Sequence, residues 1–189
     1  MTCKINADTT DGLKITSDTS GIVEIQANGT KSNNLSFTGR IVQTVNTQTG
    51  AVATGTTTMP QDDTIPQNTE GVEFMTLAIT PTNSSNKLKI DVVWHGANSA
   101  SSGIMVAALF QDTTANALSA SSAGSTEAAN DMKDIVFSHF MTAGTTSETT
   151  FKVRAGLNAA GTTTFNGVSS SRRLGGVFAS SITIQEIEV

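Results

Sequence analysis

Apolar residues that recur at every second position, in short runs bounded by turn formers, constrain this chain more than any other feature. Leu88, Ile90, Val92 and Trp94 alternate with Lys89, Asp91 and His95. An extended backbone sends the first set to a buried face and the second to an open one. The same period marks Ile135, Phe137, His139 and Met141, then Phe151, Val153, Ala155 and Leu157. No segment carries the 3.6-residue period of an amphipathic helix. The chain therefore reads as all-β.

Further strands follow from the same pattern. Residues 40–46 open the series, and the polar stretch 47–71, with Pro60 and Pro66, reads as a surface loop. Residues 74–80 end at Pro81 and a turn-rich TPTNSSNK, which predicts a hairpin or corner into the Leu88 strand, with the two strands as neighbours. Residues 103–111 are almost continuously apolar, which predicts a strand buried on both faces, or on one face with a subunit contact on the other. Residues 115–132 read as a long loop with a short helical turn near 126–133. Residues 162–166 and 180–189 complete the set. In the last, Ile182 and Ile184 change phase to Ile187 and Val189, the mark of a β-bulge.

About eight antiparallel strands in a chain of this length fit a jelly-roll-like β-sandwich. An immunoglobulin-like sandwich is the alternative, and the chain lacks its Cys–Trp–Cys framework. The 189 residues suffice for one domain with a core plus an extension. We divide them into an extended N-terminal β-ribbon arm, 1–39, and a sandwich domain, 40–189. Within the arm, Leu13 and Ile15, Val23 and Ile25, and Leu35 and Phe37 alternate between glycines. Six such residues are too few to cover one another, so neighbouring subunits or a larger surface must cover them. A flexible leader is the competing interpretation of the same residues.

Charge and chemistry narrow the function. Charged residues make up 14% of the chain and the net charge is -5, so no basic face exists for nucleic acid. The apolar stretches fall short of the roughly 20 residues that a membrane-spanning helix needs. The N-terminus has no apolar h-region, so no secretory signal is expected. Cys3 stands alone and forms no internal disulfide. One Trp and no Tyr argue against an aromatic platform for sugars.

Two His and one Cys, far apart, exclude a zinc site. Asp62, Asp63 and Glu70 offer oxygens to a hard cation, or simply a solvated acidic loop. Ser99 or Ser138 with His95 or His139 has the residue types of a hydrolytic triad but no nucleophile elbow. His139 shares its phase with core residues and reads as an interior or interface residue. The adjacent Arg172 and Arg173 offer bidentate contacts to an acidic neighbour, or simply two charges on a solvated loop. No enzyme and no cofactor are expected.

The segment GLKITSDTSGIVEIQANGTK (12–31) resembles the recurring segments of bacteriophage tail-fibre and virion structural proteins. GRIVQTVNTQTG (39–50), ITPTNSSNKLKIDVVW (79–94), TTFKVRA (149–155) and SSITIQEIEV (180–189) resemble, in that order, the β-domain often attached to them. This resemblance implies a homotrimeric phage-particle component, in the virion after assembly in the host bacterial cytoplasm. The leading expectation is a capsid decoration, or cement, protein. It would grip the major capsid protein and its own copies through Leu13, Ile15, Val23, Ile25, Leu35 and Phe37, with neither nucleic acid nor membrane as partner. The alternative is a short tail-fibre or receptor-binding module whose loops 47–71 and 115–132 recognise a host surface glycan.

Overall fold

A computed structural model describes residues 38–124 and 128–189, together with two short strands of the arm. The chain divides into two compact units, Met1–Phe37 and Thr38–Val189. In the first, β1 (Gln26–Ala27) pairs antiparallel with β2 (Thr30–Lys31). The six arm residues singled out above, Leu13, Ile15, Val23, Ile25, Leu35 and Phe37, lie outside the described residues.

The second unit runs β3 (Ile41–Thr49), β4 (Ala53–Gly55), β5 (Val72–Ile79), β6 (Lys87–Asn98), β7 (Met105–Gln111), β8 (Ser119–Ser122), β9 (Met132–Thr142) and β10 (Thr149–Leu157). It ends with β11 (Thr163–Phe165), β12 (Gly167–Val168), β13 (Ser171–Arg172), a 3-10 turn at Leu174–Gly176, and β14 (Ser180–Ile187). All pairings are antiparallel. One sheet has the order β5-β10-β7-β8; the other has β3-β14-β6, with β9 on the far side of β6. Counting only these eight strands along the chain, the orders are second-seventh-fourth-fifth and first-eighth-third-sixth, the double Greek key of a jelly roll. The expected fold class holds. Short strands β11 and β4 extend the second sheet beside the end of β6.

The core lies between the sheets, where the alternation of β6 sends Leu88, Ile90, Val92 and Trp94 inward, all fully buried. They meet Met105, Ala107 and Leu109 of β7 and Phe151, Val153 and Leu157 of β10. Phe74, Trp94 and Phe165 form an aromatic cluster, with Phe74 and Phe165 stacked at 5.1 Å.

β7 is buried on both faces, one of the two arrangements that its continuous apolar run allowed. Its second face, Val106, Ala108 and Phe110, is covered by Met59. Met59 belongs to a strap that crosses this sheet between β4 and β5. The strap is tied down by Met59 N–H to the Leu157 carbonyl (2.9 Å) and Gly71 N–H to the Thr58 carbonyl (2.9 Å). Gly71 adopts φ +60, and a Cβ there would sit 2.6 Å from the Met59 terminal methyl.

Several expectations need correction. β5 and β6 are not paired: 80–86 is a corner that carries the chain from one sheet to the other. The loop 47–71 begins inside β3 and contains β4, because β14 and β11 supply backbone partners there. The loop 115–132 contains β8, a strand of Ser and Ala held by its ladder to β7. No helix forms among the described residues of 126–133; β9 starts at Met132. The bulge at the chain's end is present, as a register shift between Glu186 and Ile187 against β3.

Candidate functional site

Two surfaces stand out, an apolar strand edge and an acidic groove. Among the described residues, β9 is the outermost strand of its sheet, bonded to β6 alone. From Ile135 to Thr142 it has no Asp, Glu, Lys or Arg. Its outward residues include Val136 (64% exposed) and Phe140 (58%), with Met132 exposed at its start. Its inward residues Phe137, His139 and Met141 are only half-buried, and β8, the strand of the facing sheet that lies against β9, is short and carries only Ser and Ala. Burial pushes the His139 imidazole below its ordinary pKa, so the ring is neutral at pH 7. Edges of soluble sheets are ordinarily blunted by charge, proline or bulges. Among the described residues, the stretch 135–142 has none of these.

The groove lies between the strap and the β8 edge. It measures about 410 Å³ and is lined by Asp62, Asp63, Ile65, Pro66, Leu118 and Ser119. The strap and the loop before β8 are joined by Ala117 N–H to the Pro66 carbonyl (2.9 Å) and Gln67 Nε2 to Asn116 Oδ1 (3.0 Å). The fold thus brings together the two loops, 47–71 and 115–132, that the sequence marked for recognition. The Thr64 hydroxyl and amide donate to Asp62 Oδ1 and hold that carboxyl below the usual range, so it is ionised. Glu70 is engaged elsewhere, accepting from Gln67 N–H at 2.9 Å, and does not join Asp62 and Asp63. No cluster of three metal-ligating side chains occurs among the described residues.

The candidate nucleophiles are not aimed at an imidazole. Ser138 Oγ donates to Asp91, which is also paired with Lys89 at 2.7 Å. Ser99 Oγ accepts from Thr162 N–H at 2.8 Å. His95 Nδ1 meets Asp134 at 2.5 Å, and its ring packs on Phe178 with centroids 4.7 Å apart. The His139 ring has no hydrogen-bond partner among the described residues, while its backbone lies in the ladder opposite Ile90.

Arg172 and Arg173 sit on an exposed tip between β12 and β14, with no ion pair among the described residues. Sequence reasoning found that pair and the two loops. It missed the exposed apolar edge, whose only signal was the absence of Asp, Glu, Lys and Arg from Ile135 to Thr142.

No family model matches the chain, and no curated protein matches it. Among solved structures it is similar to Eiger TNF from S. frugiperda, with 11% identity, coverage of 78% of this chain and 94% of that one, and a TM-score of 0.41. It is also similar to the infectious bursal disease virus VP2 subviral particle, with 13% identity, coverage of 87% and 38%, and a TM-score of 0.42. A third is dimeric latent PorU from Porphyromonas gingivalis, with 9% identity, coverage of 87% and 14%, and a TM-score of 0.40. The chain thus spans 38% and 14% of the VP2 and PorU chains. Likenesses this loose concern the fold alone and carry nothing on function.

Proposed function

We propose that this chain is a structural subunit of a phage particle, a capsid decoration protein that acts as a homotrimer and by burial, not by catalysis. The observation that carries the reading is the β9 edge. An eleven-residue strand, uncharged from Ile135 onward and exposing Val136 and Phe140, invites cover by another chain. The arm, short of apolar residues to cover itself, supplies the grip on the capsid, and three linked arms act at a high effective concentration. The phage-specific part rests on the sequence resemblance.

Purified chain is mixed with heads that lack it and pelleted. Full-length protein co-sediments, and protein lacking residues 1–37 stays in the supernatant. Equal pelleting of both forms would remove the arm from the mechanism.

A second reading is favoured by the meeting of the two loops at the groove. Carboxylates beside apolar Ile65, Pro66 and Leu118 suit a sugar with hydroxyls on one side and C–H groups on the other. In that case the chain is a short receptor-binding module, and a glycan array detects a ligand whose binding fails in Asp62→Ala/Asp63→Ala.

A further inference from the structure

We propose that the basic, apolar tip at Arg172–Val177 of one copy seats in the acidic groove of a second copy, joining protomers head to tail. The inference rests on the reading that the chain works as a homo-oligomer, and it adds which surfaces meet.

The tip is shaped for docking. Leu174 is 69% and Val177 is 85% exposed, and Arg172 and Arg173 flank them on the chain. The tip is also fixed. Gly176 N–H donates to the Arg173 carbonyl and Val177 N–H to the Leu174 carbonyl, each at 3.1 Å. Leu174 (φ +49), Gly175 (+63) and Gly176 (+96) lie in succession in the left-handed region. A leucine there is uncommon, and such outliers concentrate where a side chain must be presented. The result is an apolar side chain held out in water between two cations and a second apolar residue.

The groove offers the complement. The Asp62 and Asp63 carboxylates meet no cation of their own chain among the described residues, and Ile65, 55% exposed, adds to the apolar wall made by Pro66 and Leu118. Its volume of about 410 Å³ admits a leucine side chain together with a guanidinium head. Arg–carboxylate pairing supplies directional bonds as well as attraction.

The two patches sit on opposite edges of the sandwich. β8, which borders the groove, lies against β9. The tip packs on Gly50, at the end of β3, and β3 lies against β5. Complementary patches at different places on one surface make a heterologous contact, which closes into a ring when the rotation fits. With a net charge of -5, two copies repel except where such a contact orients them.

The test is charge reversal in the full-length chain, read by sedimentation velocity over a concentration series. Arg172→Asp/Arg173→Asp and Asp62→Arg/Asp63→Arg should each weaken self-association at least tenfold. The chain with all four changes should recover it, and circular dichroism monitors folding in each. Recovery excludes misfolding as the cause of the loss. If both double variants associate like the parent, the tip and groove are not the contact and the proposal falls, while the homo-oligomer reading stands. If the parent itself stays monomeric, both fall. Loss without recovery in a folded four-site variant also overturns the pairing, as does a glycan found in the groove of the assembled parent.

Discussion

Asn86 Nδ2 donates to Glu186 Oε1 at 2.7 Å, and both residues are buried. The same carboxylate accepts from Thr82 N–H, the Thr82 hydroxyl, Asn83 N–H and Gln43 Nε2. A glutamate at the core phase of β14 is thereby the anchor of the corner that carries the chain between the sheets. Burial alone would raise its pKa, but the Thr82 amide and the Gln43, Asn86 and Thr82 side chains outweigh that and hold it at about 2.

That anchor makes folding acid-sensitive. A folded pKa of about 2 against 4.5 in the unfolded chain gives about 3 kcal/mol of stability, fully present above pH 4.5 and lost as pH falls towards 2. Urea titrations across this range should show the loss. Glu186→Gln should flatten this part of the profile and lower stability at pH 7 by about 3 kcal/mol, because its amide hydrogens face the donors of Thr82 and Asn86. An unchanged slope would reassign the acid sensitivity to other groups.

The β9 edge should matter to assembly and not to folding. Val136→Lys with Phe140→Glu places opposite charges on exposed positions, so the melting temperature should stay within a few degrees while the oligomer dissociates. Sedimentation and a thermal melt on one sample separate the two effects.

Removal of the Met59 side chain should detach the strap. Met59 is fully buried on Val106, Ala108 and Phe110, and Met59→Ala should cost about 2–4 kcal/mol. Limited proteolysis should then cut near Thr64, where the parent resists.

Gly50→Ala should disturb the distant tip. Its Cβ would lie 1.8 Å from the Gly176 carbonyl oxygen, a clash of backbone with no flexible side chain to yield. We expect a loss of about 1–3 kcal/mol, with faster hydrogen exchange at residues 173–178.

The strands carried by large alternating side chains were legible in the sequence. Leu88 to Trp94 fixed the inner face of β6, and the phase change after Ile184 marked the bulge. β8 was hidden because Ser119–Ser122 has no large apolar residue; its strand character comes from the ladder to β7. The strap was hidden because Met59 stands alone between polar residues. Glu186 gave no sign: it keeps the buried phase of Ile182 and Ile184, but the shift of the apolar residues to Ile187 and Val189 makes a glutamate there look like surface. Of the candidate site, loop composition marked the groove, but the partnership of strap and β8 depends on contacts between residues more than 40 apart. The arm residues Leu13 to Phe37 remain a sequence-level expectation.

Gold-labelled antibody electron microscopy on intact virions tests the decoration role most directly. Label spread over the head surface is the predicted result. Label confined to the tail tip would contradict it and make the loop groove the receptor site.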